Sequence, residues 1–373
     1  MAFDSLEKHG LVYRGYIVSL DSADIMLYAL GSNGSGQLGI GSADDAHEPQ
    51  KCIVPINFDY KSIINIAAGG NHTLINTAGK IFAAGDIAGG RYPIVHVYTQ
   101  SKHEDAFKFR LSTVSSQFCA ATWESTTVID NIQRVFACGS GNKGELGLGN
   151  GITSSEKPRI ITDFPPNDDS FIADLAASMS HTVCLLSNGD AYGWGSGRKG
   201  QLGEPAQDCW TPRKIDGIPF EPDRVVCGKD FTYFVGSRSS GHHHIIGNDR
   251  WGVISQAPKS LPSWRDIGAS WGSIFVLLET GELLSWGRND RGQLGPSNLP
   301  KLSQIAVGSE HVVALTEDGK VISWGWGEHG NCGLPVDQNG DVKGRWNEIK
   351  VAGKVVGVGA GCATTFIITE ESE

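Results

Sequence analysis

The chain has 373 residues, of which 41 are acidic and 31 basic, and its formal net charge is −10. No run of basic residues occurs, which argues against a protein that mainly coats DNA or RNA, because phosphate neutralisation supplies the affinity of such proteins. No 18-residue apolar run and no basic-plus-apolar leader is found, so we expect a soluble protein of the cytoplasm or nucleus. The eight cysteines occur singly, which favours a reducing compartment over disulfides or a zinc site.

In chain order, residues 1–24 precede any repeat and are predicted to be an N-terminal extension. From residue 25 onward, seven short apolar strands each end on a glycine that is followed five residues later by a second glycine. These anchor glycines are Gly31, Gly85, Gly139, Gly195, Gly247, Gly287 and Gly325. Their spacings are about 54, 54, 56, 52, 40 and 38 residues. A repeat of roughly 40–50 residues is typical of propellers and solenoids.

A second apolar segment with a small-residue kink follows each anchor. Its seven copies span 66–75, 119–129, 175–186, 225–235, 267–278, 305–315 and 356–368. Most copies lead through a turn such as Asn188–Gly189 or Asp318–Gly319 into the next anchor strand, and alternating apolar residues around such a turn indicate a hairpin. Each repeat is therefore a small antiparallel sheet. Seven such sheets in a ring predict an all-β fold, a seven-bladed β-propeller.

The order of the half-repeats predicts how the ring closes. The first anchor strand, Ile25–Leu30, has no preceding partner, and the last strand, Cys362–Thr369, has no following one. Pairing the two builds one blade from both chain ends and removes exposed sheet edges. Residues 25–373 are thus predicted to form a single domain, in which 333–350 is expected to be a mobile loop.

Several motifs suggest catalysis but are better explained as structure. The glycines from Gly139 to Gly144 and from Gly195 to Gly200 match a dinucleotide-binding pattern, yet neither match leads into a helix. His72, His181 and His311 occupy one position in three different repeats, so a ring holds them apart and we expect them to hydrogen-bond the backbone at blade junctions. No activated nucleophile or acid–base pair is recognisable. The sequence predicts no enzyme activity, no cofactor and no metal site.

The candidate binding residues are those where one repeat departs from the others. In the kinked segments these are Trp123, Glu124, Lys229, Asp230, Trp271 and Glu310, and the last anchor turn adds Glu328 and His329. Equivalent loops share one face of a propeller, so we expect an aromatic anchor, Trp271, inside a charged rim that includes Glu310. The alternative is that the tryptophans are wedges between blades.

The repeat pattern, W/A-x-G-x-N-x-x-G-Q-L-G followed by G-x-x-H-T, resembles the regulator-of-chromosome-condensation repeat over residues 25–369. Four C-terminal runs narrow the resemblance: CGKDF at 227–231, VGSEH at 307–311, SWGWGEHGNCG at 323–333 and GCATTFII at 361–368. Together they are similar to the fungal alpha-tubulin-suppressor family, also called killer-toxin-insensitivity protein thirteen.

This resemblance implies a partner. The family forms a heterodimer with a small zinc-ribbon (CSL-type) protein that donates electrons, and the pair supports diphthamide synthesis on elongation factor two and Elongator-dependent modification of transfer-RNA wobble uridines. It implies a non-enzymatic scaffold that does not itself bind nucleic acid or membrane. One alternative is a guanine-nucleotide exchange factor, which needs a protruding wedge, and no insertion exceeds residues 91–118. A second alternative, a tryptophan-based light sensor, needs more tryptophans in the kinked segments than Trp123 and Trp271.

Overall fold

The computed structural model describes residues 25–55, 58, 63–86, 88–92, 107–112, 116–166 and 169–370. The predicted extension, residues 1–24, lies outside the described residues. Within them the chain forms 26 β-strands, and helical structure is limited to a three-residue 3-10 turn at Ala88–Gly90. None of the described residues belongs to a helix that could cross a bilayer.

Blades 1 to 4 contain four antiparallel strands each. Blade 1 consists of β1 (Ile25–Gly31), β2 (Ala46–Lys51), β25 (Lys354–Ala360) and β26 (Thr364–Glu370). Blade 2 consists of β3 (Ile63–Ala68), β4 (His72–Thr77), β5 (Lys80–Gly85) and β6 (Arg110–Leu111). Blade 3 consists of β7 (Phe118–Ala121), β8 (Ser125–Ile129), β9 (Val135–Ser140) and β10 (Ser154–Ile160). Blade 4 consists of β11 (Ile172–Ser178), β12 (His181–Leu186), β13 (Ala191–Gly195) and β14 (Cys209–Lys214).

Blades 5 and 6 contain three strands each, and blade 7 contains four. Blade 5 consists of β15 (Arg224–Cys227), β16 (Phe231–Val235) and β17 (His243–Gly247). Blade 6 consists of β18 (Trp264–Ala269), β19 (Ser273–Leu278) and β20 (Leu283–Gly287). Blade 7 consists of β21 (Leu302–Val307), β22 (His311–Thr316), β23 (Val321–Trp326) and β24 (Asp341–Ile349). The segment 333–350, expected to be a loop, therefore contains the outer strand of blade 7. That expectation was wrong for Asp341–Ile349 and holds for 333–340.

The predicted seven-bladed ring and its closure are confirmed. Strand β1 pairs with β26 in unbroken antiparallel register, from Ile25 opposite Glu370 to Gly31 opposite Thr364. The innermost strands also contact their neighbours all the way around, in the order β25, β3, β7, β11, β15, β18, β21 and back to β25. The last strand begins two residues later than predicted, because Ala363 takes a left-handed conformation (φ 53°) in the turn before it.

Bulky side chains fill the wedges between blades. Trp194 on β13 and Trp324 on β23 are fully buried in apolar clusters, and Trp264 on β18 is 1% exposed. The Nε1–H of Trp324 donates to the carbonyl of Gln293 at 2.8 Å, so burying the indole leaves no donor unpaired. The wedge tryptophans are thus a different set from the two in the kinked segments.

The anchor glycines are required by backbone geometry. Gly195 has a φ of 99°, and a Cβ atom there would lie 2.4 Å from the carbonyl oxygen of Ser180 in the kinked segment of the same blade. That close approach lets Ser196 N–H donate to the same carbonyl at 2.7 Å. A side chain would be excluded both by the conformation and by the contact. Each anchor turn is therefore held against the kinked segment of its own blade.

Candidate partner-binding face

The kinked segments and the anchor turns lie at the same end of their strands, as the Ser196–Ser180 bond in blade 4 requires. Every sequence-predicted site residue belongs to one of these two kinds of loop. They therefore share one face of the disc, which we call the anchor-turn face. The hairpin turns at Gly189, Gly281 and Gly319 lie on the opposite face.

Two tryptophans meet over the central channel. The channel is a cavity of about 310 Å³ walled by small side chains of the innermost strands, such as Ala121 and Ala269. Trp123 belongs to blade 3 and Trp271 to blade 6, yet their ring centroids are 5.9 Å apart with the planes inclined at 49°. Both rings line the channel and remain partly exposed. They close one end of the channel and are not wedges between neighbouring blades.

Backbone bonds between adjacent kinked segments fix these tryptophans. The N–H of Trp123 donates to the carbonyl of Met179 at 2.9 Å, and the N–H of Trp271 donates to the carbonyl of Ser309 at 2.9 Å. Lys229 N–H in turn donates to the carbonyl of Trp271 at 3.0 Å. Each loop is thereby tied to the next blade, which orders the indoles before any partner binds and reduces the entropy lost on binding.

Charged residues surround the indole pair. The Nζ of Lys229 lies 5.4 Å from the ring centroid of Trp271, within the range of a cation–π contact. Asp230 is half-buried beside it, and its carbonyl accepts the N–H of Asn248 at 2.9 Å. Glu124, next to Trp123, accepts from Arg91 at 3.2 Å and from the Ser140 hydroxyl at 2.9 Å.

Glu310 is not the exposed rim charge that the sequence suggested. Its side chain is buried between Arg288, which binds one carboxylate oxygen, and Arg291, whose Nε lies 3.4 Å from the other. The whole residue is 8% exposed. Burial raises the pKa of this carboxyl, while the two guanidinium groups oppose the shift. The arginines come from the anchor turn of blade 6, so Glu310 joins blade 6 to blade 7.

The same arginines stack on two tryptophans that sequence reasoning missed. The guanidinium carbon of Arg288 lies 4.9 Å from the ring centroid of Trp251, and that of Arg291 lies 5.5 Å from the ring centroid of Trp326. Arg291 also pairs with Asp341 at 3.1 Å. We call these residues, with Glu310, the Arg–Trp row. Their positions in the sequence could have revealed them. Both tryptophans lie in or beside anchor turns, where most repeats have small or polar residues.

Glu328 and His329 extend the Arg–Trp row toward blade 1. Glu328 is exposed and accepts the Nε1–H of Trp326 at 3.1 Å. The Nδ1 of His329 lies 2.7 Å from a carboxylate oxygen of Asp45, and its ring meets that of Trp326 edge-on.

The Arg–Trp row also reaches the indole pair at the centre of the face. Gly272 follows Trp271 directly, and a Cβ atom at this glycine would lie 3.0 Å from the side chains of both Trp251 and Arg288. The absence of a side chain at Gly272 therefore lets the row pack closely against the segment that carries Trp271.

The three repeat histidines are separate and buried. The Nε2 atoms of His72, His181 and His311 lie 3.1, 3.1 and 3.0 Å from the hydroxyls of Thr126, Thr232 and Thr365 on the next blade. Burial lowers the pKa of His72 to about 3 and those of His181 and His311 to about 4. Across the described part of the chain, no three His, Cys, Asp or Glu side chains are grouped as metal ligands.

Comparison with known proteins identifies the family. A family model described as an RCC1-like domain matches residues 26–370. An RCC1 repeat-containing protein of Schizosaccharomyces pombe is 34% identical over 282 residues, covering 72% of this chain and 78% of that protein. The chain belongs to the RCC1-like domain family.

Other relatives of this RCC1-like propeller are more distant. The mouse secretion-regulating guanine nucleotide exchange factor is 26% identical over 300 residues, which span 74% of this chain and 62% of the mouse protein. The crystal structure of Prp20p from Saccharomyces cerevisiae superposes with a TM-score of 0.79 at 20% identity, covering 98% of this chain and 95% of Prp20p. That likeness establishes the common fold alone.

Proposed function

We propose that this RCC1-like propeller is a non-enzymatic regulatory scaffold that binds a small zinc-ribbon (CSL-type) electron-donor protein as a heterodimer. Through that partner it would support diphthamide synthesis on elongation factor two and Elongator-dependent modification of wobble uridines, in the cytoplasm or nucleus. The proposal draws on the family membership and on the similarity of residues 227–231, 307–311, 323–333 and 361–368 to the alpha-tubulin-suppressor family.

The observation that carries the proposal is the indole pair on the anchor-turn face. Trp123 and Trp271 are partly exposed at the centre of the face, and Lys229, Asp230 and Glu124 surround them. Protein interfaces concentrate binding energy in a few central aromatic residues inside a polar rim. In this arrangement the redox metal belongs to the partner, and the propeller supplies an ordered surface.

Replacing Trp271 by alanine tests the proposal. We expect its affinity for the purified zinc ribbon to fall by about 2 kcal/mol or more, roughly thirtyfold, because a central aromatic anchor would be lost. Calorimetric titration measures the affinity, and a thermal melt of the same variant measures stability. As a control, Ile132→Ala removes an apolar side chain that is 70% exposed in a hairpin turn away from this face, and binding should not change.

Unchanged affinity of Trp271→Ala for the zinc ribbon would show that the interface lies elsewhere, whether or not the melting temperature falls. No binding by the wild-type protein at micromolar concentrations would refute the function itself. The two results are separable because the wild-type titration does not depend on where the zinc ribbon docks.

A second candidate function is nucleotide exchange on a small GTPase, which the name of the mouse relative favours. The longest insertion that could act as a wedge is 91–118, of which residues 93–106 and 113–115 lie outside the described residues. Nucleotide release from Ran, measured with and without the propeller, separates the two functions. Accelerated nucleotide release without zinc-ribbon binding would make nucleotide exchange the favoured function.

A further inference from the structure

Blades 5 and 6 differ from the other five blades because they lack an outer strand among the described residues. The connectors that follow their third strands are short and fully described, at 248–263 and 288–301. In blade 4 the corresponding connection, 196–223, is long enough to include β14. The reduced anchor spacings after Gly247 and Gly287 are therefore the sequence signature of the missing strands.

Blade 6 can be compared residue by residue with blade 7. The third strands read LLSWG in β20 and VISWG from Val321 in β23, and Ser285 matches Ser323 in register against the preceding strand. Ser323 pairs with Asn347 on β24 and is 0% exposed. Ser285 pairs with no outer strand among the described residues and is half-buried. The two serines thus occupy equivalent positions, Ser323 in a blade with an outer strand and Ser285 in a blade without one among the described residues.

The hydrogen-bond pattern defines which groups of β20 face outward. Leu278 N–H donates to the carbonyl of Glu282, and Arg288 N–H donates to that of Gly272, so residues 282, 284, 286 and 288 bond toward β19. The backbone groups of Leu283 and Ser285 consequently point away from the sheet. No backbone group among the described residues bonds to them.

The connector 288–301 covers this edge only in part. Leu294 and Leu299 pack against the same buried apolar cluster as Leu283, and the carbonyl of Leu294 accepts the Ser285 hydroxyl at 2.9 Å. Directly after the connector, Leu302 N–H donates to the carbonyl of Gly281 in the hairpin turn of blade 6 at 2.8 Å. Leu283, Leu284 and Ser285 all stay partly exposed, whereas Val321, Ile322 and Ser323 are at most 2% exposed.

We propose that the outer edge of β20 accepts an antiparallel strand from the protein partner. An unpaired edge offers a row of backbone donors and acceptors whose natural complement is an extended segment. This step rests on the proposed function for the identity of the partner, the zinc ribbon. The edge belongs to the rim of blade 6, the blade that supplies Trp271, so one small protein can contact both.

The chain itself specifies what such a strand looks like. The outer strands β10, β14 and β24 are polar, with basic residues at exposed or partly exposed positions and a small or apolar residue opposite the anchor glycine. The position at or just after their far end is a buried isoleucine: Ile161, Ile215 or Ile349. A second copy of β20, with its Leu-Leu sequence, does not match this pattern. A polar strand from a different protein does.

Hydrogen exchange at single-residue resolution tests the proposal. In the free protein we expect the Ser285 amide to exchange at least about tenfold faster than the Ser323 amide, since only Ser323 has an outer partner. Adding the purified zinc ribbon should slow Ser285 by about tenfold or more and leave Ser323 unchanged. A slow Ser285 amide in the free protein, or an unchanged one in a complex that calorimetry shows to have formed, would overturn the proposal.

A proline variant provides the second measurement. Ser285→Pro removes an outward N–H and no β19–β20 bond, a position at which edge strands tolerate proline. We expect it to bind the zinc ribbon about tenfold more weakly, the equivalent of about one backbone hydrogen bond, while Ser285→Ala binds normally. Ser323→Pro is the matched control for folding, and it should melt well below Ser285→Pro. Equal binding by Ser285→Pro and Ser285→Ala would contradict the proposal.

The failure of the proposed function can be recognised separately. If the zinc ribbon does not bind the wild-type protein at all, the same exchange measurement is made with a synthetic peptide of residues 341–350, the template strand from β24. Slowing of Ser285 by the peptide would support an edge that accepts strands, and no slowing at millimolar peptide would refute it.

Discussion

Two kinds of side-chain contact can be compared at four of the blade junctions of this propeller. At the junctions of blades 2 and 3, 4 and 5, and 7 and 1, a buried histidine bonds a threonine of the next blade. At the junction of blades 6 and 7, Ser273 and Val312 stand at those two positions. There the polar contact lies on the anchor-turn face, where Arg288 and Arg291 hold Glu310. Arg288 also reaches back to Trp251 of the preceding repeat.

The difference separates residues that only maintain the ring from residues that also lie on the face proposed to bind the partner. A buried His–Thr bond is inaccessible, and the Thr365 hydroxyl also donates to the carbonyl of Asn331 at 2.7 Å, so this hydroxyl is fully engaged within the fold. The Arg–Trp row joins the same kind of junction but leaves Trp251 37% exposed. Moving the contact to the surface therefore creates an aromatic and charged region where a partner could dock.

The largest effect should come from removing the strand that closes the ring. Deleting residues 362–373 takes away β26, which pairs with both β1 and β25 and carries Thr365, the partner of His311. We expect no cooperative thermal transition, because two sheet edges become exposed and the buried His311–Thr365 bond is lost. Differential scanning calorimetry measures this, with a variant ending at Glu370 as the control. A cooperative melt near the wild-type temperature would refute the ring closure.

The sequence predicted the elements of the fold whose geometry recurs. Anchor glycines are visible because a positive φ and a close approach to the kinked segment exclude other residues, as at Gly195. The histidines were correctly assigned to blade junctions because three copies at one repeat position cannot converge in a ring. Their partner was wrong, because each bonds a threonine hydroxyl of the next blade where the sequence predicted the backbone. Two of them follow a G-x-x-H pattern, because a Cβ atom at Gly69 or Gly308 would lie 2.3 Å from the ring of His72 or His311.

The candidate site could be predicted only in part, because its contacts join residues of different repeats. Trp123 and Trp271 were identified as departures from the pattern, but their meeting across the channel depends on ring geometry. The burial of Glu310 depends on two arginines from the preceding anchor turn. The outer strand β24 was missed because Gly340 and Gly344 made its sequence look like a loop.

The three buried His–Thr pairs at the blade junctions, which we call the buried clamps, should make the folded protein sensitive to acid. The folded state keeps His72, His181 and His311 neutral, with pKa values lowered to about 3, 4 and 4, whereas the unfolded chain protonates near pH 6.5. Protons therefore favour the unfolded state as the pH falls from 6.5 to 4. For each histidine, the free energy of unfolding should fall by up to about 1.4 kcal/mol for every unit by which the pH is lowered in that window. Chemical denaturation at several pH values measures the slope.

The variant His311→Gln isolates one clamp. It is expected to be less stable than wild type at pH 7 by about 1–3 kcal/mol, since the buried Thr365 hydroxyl loses a partner. Its stability should then fall less steeply on acidification, by up to one proton. Thr365→Val is the control, because it breaks the same bond and keeps the imidazole. A slope in His311→Gln as steep as that of wild type would show that His311 is protonated in the folded state.

The smallest effect concerns the surface contacts, where two glutamates occupy the same repeat position in different surroundings. Glu310 is buried between two arginines, while the side chain of Glu124 is 45% exposed beside Arg91. Glu310→Gln should cost about 1–2 kcal/mol, because both guanidinium groups lose their shared counter-charge at a buried carboxylate. Glu124→Gln should cost about 0–1 kcal/mol, as exposed ion pairs do, and that small cost should vanish in high salt. Urea denaturation at low and high ionic strength measures both. If Glu124→Gln proved as costly as Glu310→Gln, burial would not be what distinguishes the junction of blades 6 and 7, and the Arg–Trp row would have to be regarded as a binding feature that contributes little to holding the ring.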